Sequence, residues 1–139
     1  MGASLGTFPP MIGTTAARDL RLLVPPSAEH LRAVRLVAAD TAGRAGFDCD
    51  QTDDLRIALD ELCHSVMRGA GGPITLVFEA SDGRVTIEGS ARFRREPGLP
   101  LLDPLSDAIL QSVSDFFEII DHPPDVRFLL MMERTSRCN

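Results

Sequence analysis

The chain has 139 residues, 44% of them hydrophobic, enough for one domain with a real core. Its formal net charge is −6 and no basic stripe interleaves with aromatic residues, which argues against direct nucleic-acid binding. No apolar run approaches the length that spans a bilayer and no segment resembles a signal peptide, so the expectation is a cytoplasmic protein without a membrane role.

Residues 1–17 are rich in Gly, Pro, Thr and Ala without periodicity and read as a loose arm. A single domain is expected over 18–134, with 135–139 as a tail. Asp19 to Val24 reads as a first strand, ended by Pro25-Pro26-Ser27. Ser27 is placed to cap a helix with Glu29 in its first turn. In that helix Leu31, Val34, Ala38 and Thr41 form the stripe expected to be buried, while Arg32 and Arg35 project from its edge.

Gly43 to Asp50 turns the chain into a second helix, the most informative segment. At about 100° per residue, Leu55, Leu59, Leu62 and Val66 fall within a narrow arc and make a strongly apolar stripe. Asp50, Asp53 and Asp54 crowd its start, where negative charge suits the exposed amides. Glu61, Ser65 and Arg68 occupy a flank beside the stripe, from which polar side chains can face a cleft.

Gly69, Gly71, Gly72 and Pro73 break that helix. Ile74 to Glu79 and Arg84 to Ala91 read as strands joined by a hairpin at Ser81-Asp82-Gly83. Arg92 to Pro104 is an irregular connection. Asp103 as cap and Pro104 at the first helical position open a third helix, in which Leu105, Ile109, Ser112 and Phe116 share a face. Phe117 to Ile120 and Val126 to Met132 close the domain as two strands around Asp121-His122-Pro123-Pro124. This order gives an α+β two-layer sandwich, its helices packed on one face of a mixed, mostly antiparallel sheet.

Cys49, Cys63 and Cys138 are odd in number and lack CxxC spacing, so neither a disulfide framework nor a zinc site is indicated. His30, His64 and His122 are scattered, and no metal-hydrolase or nucleophile-elbow motif occurs. All fourteen basic positions are arginine, a pattern that reads most simply as a GC-rich genome and also supplies forks suited to carboxylates on a partner.

The run Leu55 to Ala70, with the segments around it, resembles the ATP-binding domain of the GHKL superfamily, the Bergerat fold of histidine-kinase-like ATPases. Within it the likeness is to RsbW-type anti-sigma factor serine kinases. The resemblance implies that Glu61 stands where the family has a general base. Ser65 stands where an Asn holds Mg²⁺, and is a weaker, shorter metal ligand than an amide carbonyl. In the family's second box, Asp-x-Gly-x-Gly, the Asp reads the adenine amino group. The matching strand places Gly89 or Glu88 near that Asp and Ala91 at the first Gly. The glycine-rich lid is represented only by Pro97-Gly98-Leu99-Pro100 followed by Asp103-Pro-Leu-Ser-Asp107, and prolines remove amide donors that a phosphate cradle needs.

Three departures in three boxes imply a retained fold with weakened or lost ATP chemistry. The expected cofactor set is accordingly none, or Mg-ATP where nucleotide binding is retained. The family role is an anti-sigma factor that sequesters an alternative sigma factor and is released by a STAS-type anti-anti-sigma protein. Counting back from Glu61 puts Arg35 at a partner-contacting arginine of the first helix, with Arg32 beside it. A homodimer is a further expectation from the resemblance. Two alternatives stand beside this reading: an active serine kinase acting on the STAS protein, and a GHKL-shaped binding domain with an unrelated partner.

Overall fold

The computed structural model describes residues 19–92 and 101–135. The expected arm over 1–17, most of the expected lid including Pro97 to Pro100, and residues 136–139 of the tail lie outside the described residues. Strand β1 spans Leu20–Val24, helix α1 Leu31–Arg44, helix α2 Cys49–Met67, strand β2 Ile74–Ser81 and strand β3 Arg84–Arg92. Helix α3 follows at Pro104–Val113, then strands β4 at Phe116–His122 and β5 at Asp125–Glu133.

The five strands form one sheet in the order β1-β2-β3-β5-β4, and every pairing is antiparallel. This refines the mixed sheet expected from the sequence. The two helices between β1 and β2 run out and back, so β2 returns beside β1 in the opposite sense. The single helix between β3 and β4 makes those two strands run the same way, but β5 inserts between them and removes the parallel contact.

Alternation along the strands puts Ile74, Leu76 and Phe78 of β2, Val85 and Ile87 of β3, and Val126, Phe128 and Leu130 of β5 in the core. Helices α1 and α2 pack on this face, α1 over β2 and α2 over β5. Leu55, Leu59, Leu62 and Val66 are buried as their spacing requires, together with Leu31, Val34, Ala38 and Thr41 of α1. Thr41 is tolerated there because its hydroxyl donates to the Val37 carbonyl oxygen at 2.7 Å.

The helix ends are set by local chemistry. Asp48 caps α2: its Oδ1 accepts from the Gln51 amide at 2.8 Å while the Gln51 side chain accepts from the Asp48 amide at 3.3 Å. Gly46, at φ 85°, closes α1 with Phe47 N–H donating to the Ala42 carbonyl, a left-handed step that glycine takes without strain. Ser27, the expected cap of α1, makes no side-chain capping bond and precedes a 3₁₀ turn at Ala28–His30.

Helix α3 departs further from expectation. Its buried positions are Ser106 and Leu110, whereas Leu105 is 70% exposed and Phe116 belongs to β4. The helix instead turns Leu110 and the half-buried Val113 inward, with Ser106 between them. Among the described residues no helix is long and apolar enough to cross a membrane.

Carboxylates at the start of α2 generate a test. Burial, then Asp50, Asp53 and Asp48, raise the Asp54 carboxyl above its ordinary range. A raised folded value means that the contribution of this group is favourable below its unfolded pKa and is lost as pH rises through the folded one. Asp54→Asn is therefore expected to raise Tm at pH 7 by a few degrees, on the order of 1 kcal/mol or less. In calorimetric scans the gain should shrink in high salt and vanish near pH 3.

Candidate functional site

The stripe of α2 fixes the helix's rotation on the sheet, and that rotation places the flank. Glu61 is half-buried, Ser65 is buried and Arg68 is exposed at the last turn. The Ser65 hydroxyl donates to the Glu61 carbonyl oxygen at 2.9 Å, so its proton is committed to its own helix. Glu61 Oε1 accepts from Ser106 Oγ of α3 at 2.7 Å. Two turns along α2, Arg68 Nη2 donates to the Leu101 carbonyl oxygen at 3.3 Å.

Asp103 caps α3, its Oδ1 accepting from the Ser106 amide at 2.7 Å. That amide bond is the main reason its carboxyl is held below the ordinary range, with the Ser106 side chain and Arg68 adding to it. Glu61, Ser106, Asp103, Arg68 and Leu101 thus form one continuous set of contacts between α2 and the start of α3.

The positions carried by β3 separate by face. Glu88 lies on the face away from the helices, so of the two residues near the expected adenine-reading position only Gly89 faces them. Burial raises the Glu88 carboxyl above its usual range against the lowering influence of Arg127. Gly89 pairs with Leu76 on one side and Phe128 on the other. A Cβ built at Gly89 would lie 2.5 Å from Phe128 Cζ and 3.0 Å from Cδ2. The Phe128 ring therefore fills the volume into which a residue 89 side chain would project. Ala91 is buried opposite Val126 and lines a cleft of about 190 Å³ with Pro73, Thr75, Ser90, Arg92 and Asp125, to which neither Glu61 nor Ser65 contributes.

On the outer side of the helical layer, Arg35 Nε lies 3.0 and 2.9 Å from the two Asp60 carboxylate oxygens, and Arg35 Nη2 is 2.9 Å from Oδ2. The guanidinium fork expected to meet a partner carboxylate is engaged with one from its own α2, although the Arg35 side chain remains 43% exposed. Arg32, one turn earlier, is exposed. Cys63 is buried and its thiol is pushed up to about 12, by burial first and Asp60 second, which rules it out as a nucleophile. Among the described residues no group of three or more His, Cys, Asp or Glu side chains is arranged to hold a metal ion.

Sequence reasoning named Glu61, Ser65, Gly89, Ala91, Arg32 and Arg35 but missed Ser106, Phe128 and the pairing of Asp60 with Arg35. Asp103-Pro-Leu-Ser106 has the spacing of a cap and its third helical residue, which locates the Ser106 amide but not the direction of its hydroxyl.

The description of the histidine kinase-like ATPase domain family matches residues 24–114. Serine-protein kinases RsbW from Bacillus mycoides (strain KBAB4) and Bacillus cereus (strain B4264) are each 33% identical to this chain over 72 residues. Those matches cover 49% of this chain and 45% of the relatives, so the chain spans less than half the length of the curated relatives it matches. The crystal structure of the RsbU and RsbW domains of Rv1364c from Mycobacterium tuberculosis is similar in fold. Its TM-score is 0.67 at 16% identity, covering 86% of this chain and 34% of that one.

The contact of Gly89 with Phe128 is open to test. Gly89→Ala is expected to destabilise by about 1–3 kcal/mol through overpacking, measured by urea denaturation. Phe128→Leu in the same chain should recover part of the loss, because a smaller side chain leaves room for the added methyl.

Proposed function

The chain belongs to the histidine kinase-like ATPase family, and from that premise we propose that it is an anti-sigma factor of the RsbW type whose switch is partner exchange. It sequesters an alternative sigma factor and yields it to a STAS-type anti-anti-sigma protein, with ATP binding and phosphate transfer weakened or lost. The observation that carries this reading is the Phe128 ring in the space next to Gly89. An adenine-reading carboxylate at residue 89 would need that space. Ser65, at the Mg²⁺ ligand position, is buried and offers only a hydroxyl, and one Glu61 carboxylate oxygen accepts from Ser106. Together these features support a site poorly suited to Mg-ATP.

Glu61 itself favours a second reading, an active serine kinase acting on the STAS protein, because it is half-buried and not fully enclosed. Calorimetry with Mg-ATP separates the two. The anti-sigma reading expects no saturable heat at millimolar nucleotide, weaker than about −4 kcal/mol, and no phosphate transferred to the STAS protein. Micromolar binding with transfer would establish the kinase instead. Affinity purification from native cells tests the partners: a sigma factor or a STAS protein is expected to co-elute. Enrichment of other proteins with neither present would mean a GHKL-shaped domain serving an unrelated partner.

The exposed edge of α1 is the proposed contact surface, with Arg32 and Arg35 facing carboxylates on a partner. Arg32→Ala is expected to weaken sigma binding by about 1–3 kcal/mol without lowering Tm. Arg35→Ala should weaken binding and also cost up to about 1 kcal/mol of stability, the usual limit for a partly exposed ion pair such as that with Asp60. Wild-type affinity in both variants would remove this edge of α1 from the interface.

A further inference from the structure

Helix α3 turns Ser106 and Leu110 inward with Val113 packed beside them on the core, while Ile109 is half-buried and Leu105 is 70% exposed. Ser106 is the polar member of that inward face. A hydroxyl 8% exposed has to find a partner, and Ser106 finds the Glu61 carboxylate at 2.7 Å. Hydrogen bonds to an ionised carboxylate are among the stronger ones available to a side chain. The same stretch of chain is held again where Arg68 reaches the Leu101 carbonyl.

We infer that Ser106 and Glu61 form a latch that holds α3 on α2, so that Glu61, at the place of a general base, works as a positioning residue. The carboxylate is an anchor for a neighbouring helix, and one of its two oxygens accepts within the chain. This deepens the proposed loss of kinase chemistry. Its test reads backbone exchange and not nucleotide, so the two can fail separately.

Amide hydrogen exchange of residues 104–113 in the full chain distinguishes the roles. Ser106→Ala and Glu61→Ala are each expected to speed exchange in α3 by about tenfold, with β3 and β5 unchanged. The double variant should be no faster than either single one, because both remove the same bond. Glu61→Gln keeps an acceptor oxygen and is expected to retain most of the protection, although it abolishes any role as a base. Ser106→Thr keeps the hydroxyl and is expected to behave likewise. Wild-type exchange in Ser106→Ala, or effects that multiply in the double variant, would overturn the latch. Loss of protection in Glu61→Gln equal to that in Glu61→Ala would also overturn it.

Discussion

Burial of the α2 stripe between α1 and the sheet is the constraint from which the other placements follow. Leu55, Leu59, Leu62 and Val66 are each 1% exposed or less. Each contributes roughly 1.5–3 kcal/mol on leaving water, against about 1 kcal/mol for a typical polar contact on the flank. The stripe therefore decides how α2 is rotated, and Glu61, Ser65 and Asp60 take the positions that remain. Glu61 turns toward α3 and Asp60 toward α1, one residue and about 100° apart. Helix α3 turns a narrower apolar face inward, Leu110 with Val113, and the hydrogen bond from Ser106 to Glu61 adds to its hold on α2.

The sheet imposes a second condition. A strand position under two helices must be filled either by its own side chain or by a neighbour's, since interiors are close-packed. At residue 89 the strand supplies none, and Phe128 of β5 occupies the space. That exchange depends on β5 lying next to β3, a pairing between segments far apart in sequence. The antiparallel insertion of β5 thus shapes the space beside Gly89.

Charge is distributed around this core with little stabilising purpose. The carboxylates at the start of α2 repel one another, and Arg35 with Asp60 bridges α1 to α2 at a partly exposed site. Interactions of this kind are screened and weak. In the proposed partner-exchange role, an acidic chain whose basic side chains are all arginine would offer planar forks to a partner's carboxylates and carboxylates to its cations.

Periodicity along the chain located all five strands and three helices to within a few residues, because alternation and helical spacing are local patterns written by burial. The stripes of α1 and α2, the Asp103 cap and the position of Glu61 were legible for the same reason. The cap of α2 was missed at Asp48, where neighbouring aspartates at 50, 53 and 54 offered stronger local signals. What tertiary structure alone decided were the contacts between distant segments: Ser106 on Glu61, Phe128 against Gly89 and Asp60 on Arg35. Their distances in sequence run from 25 to 45 residues, and no pattern within one element encodes which neighbour a flank will meet. The sequence by itself determined which faces are apolar; the pairing order of the strands and the rotation of α3 determined what each remaining polar group touches.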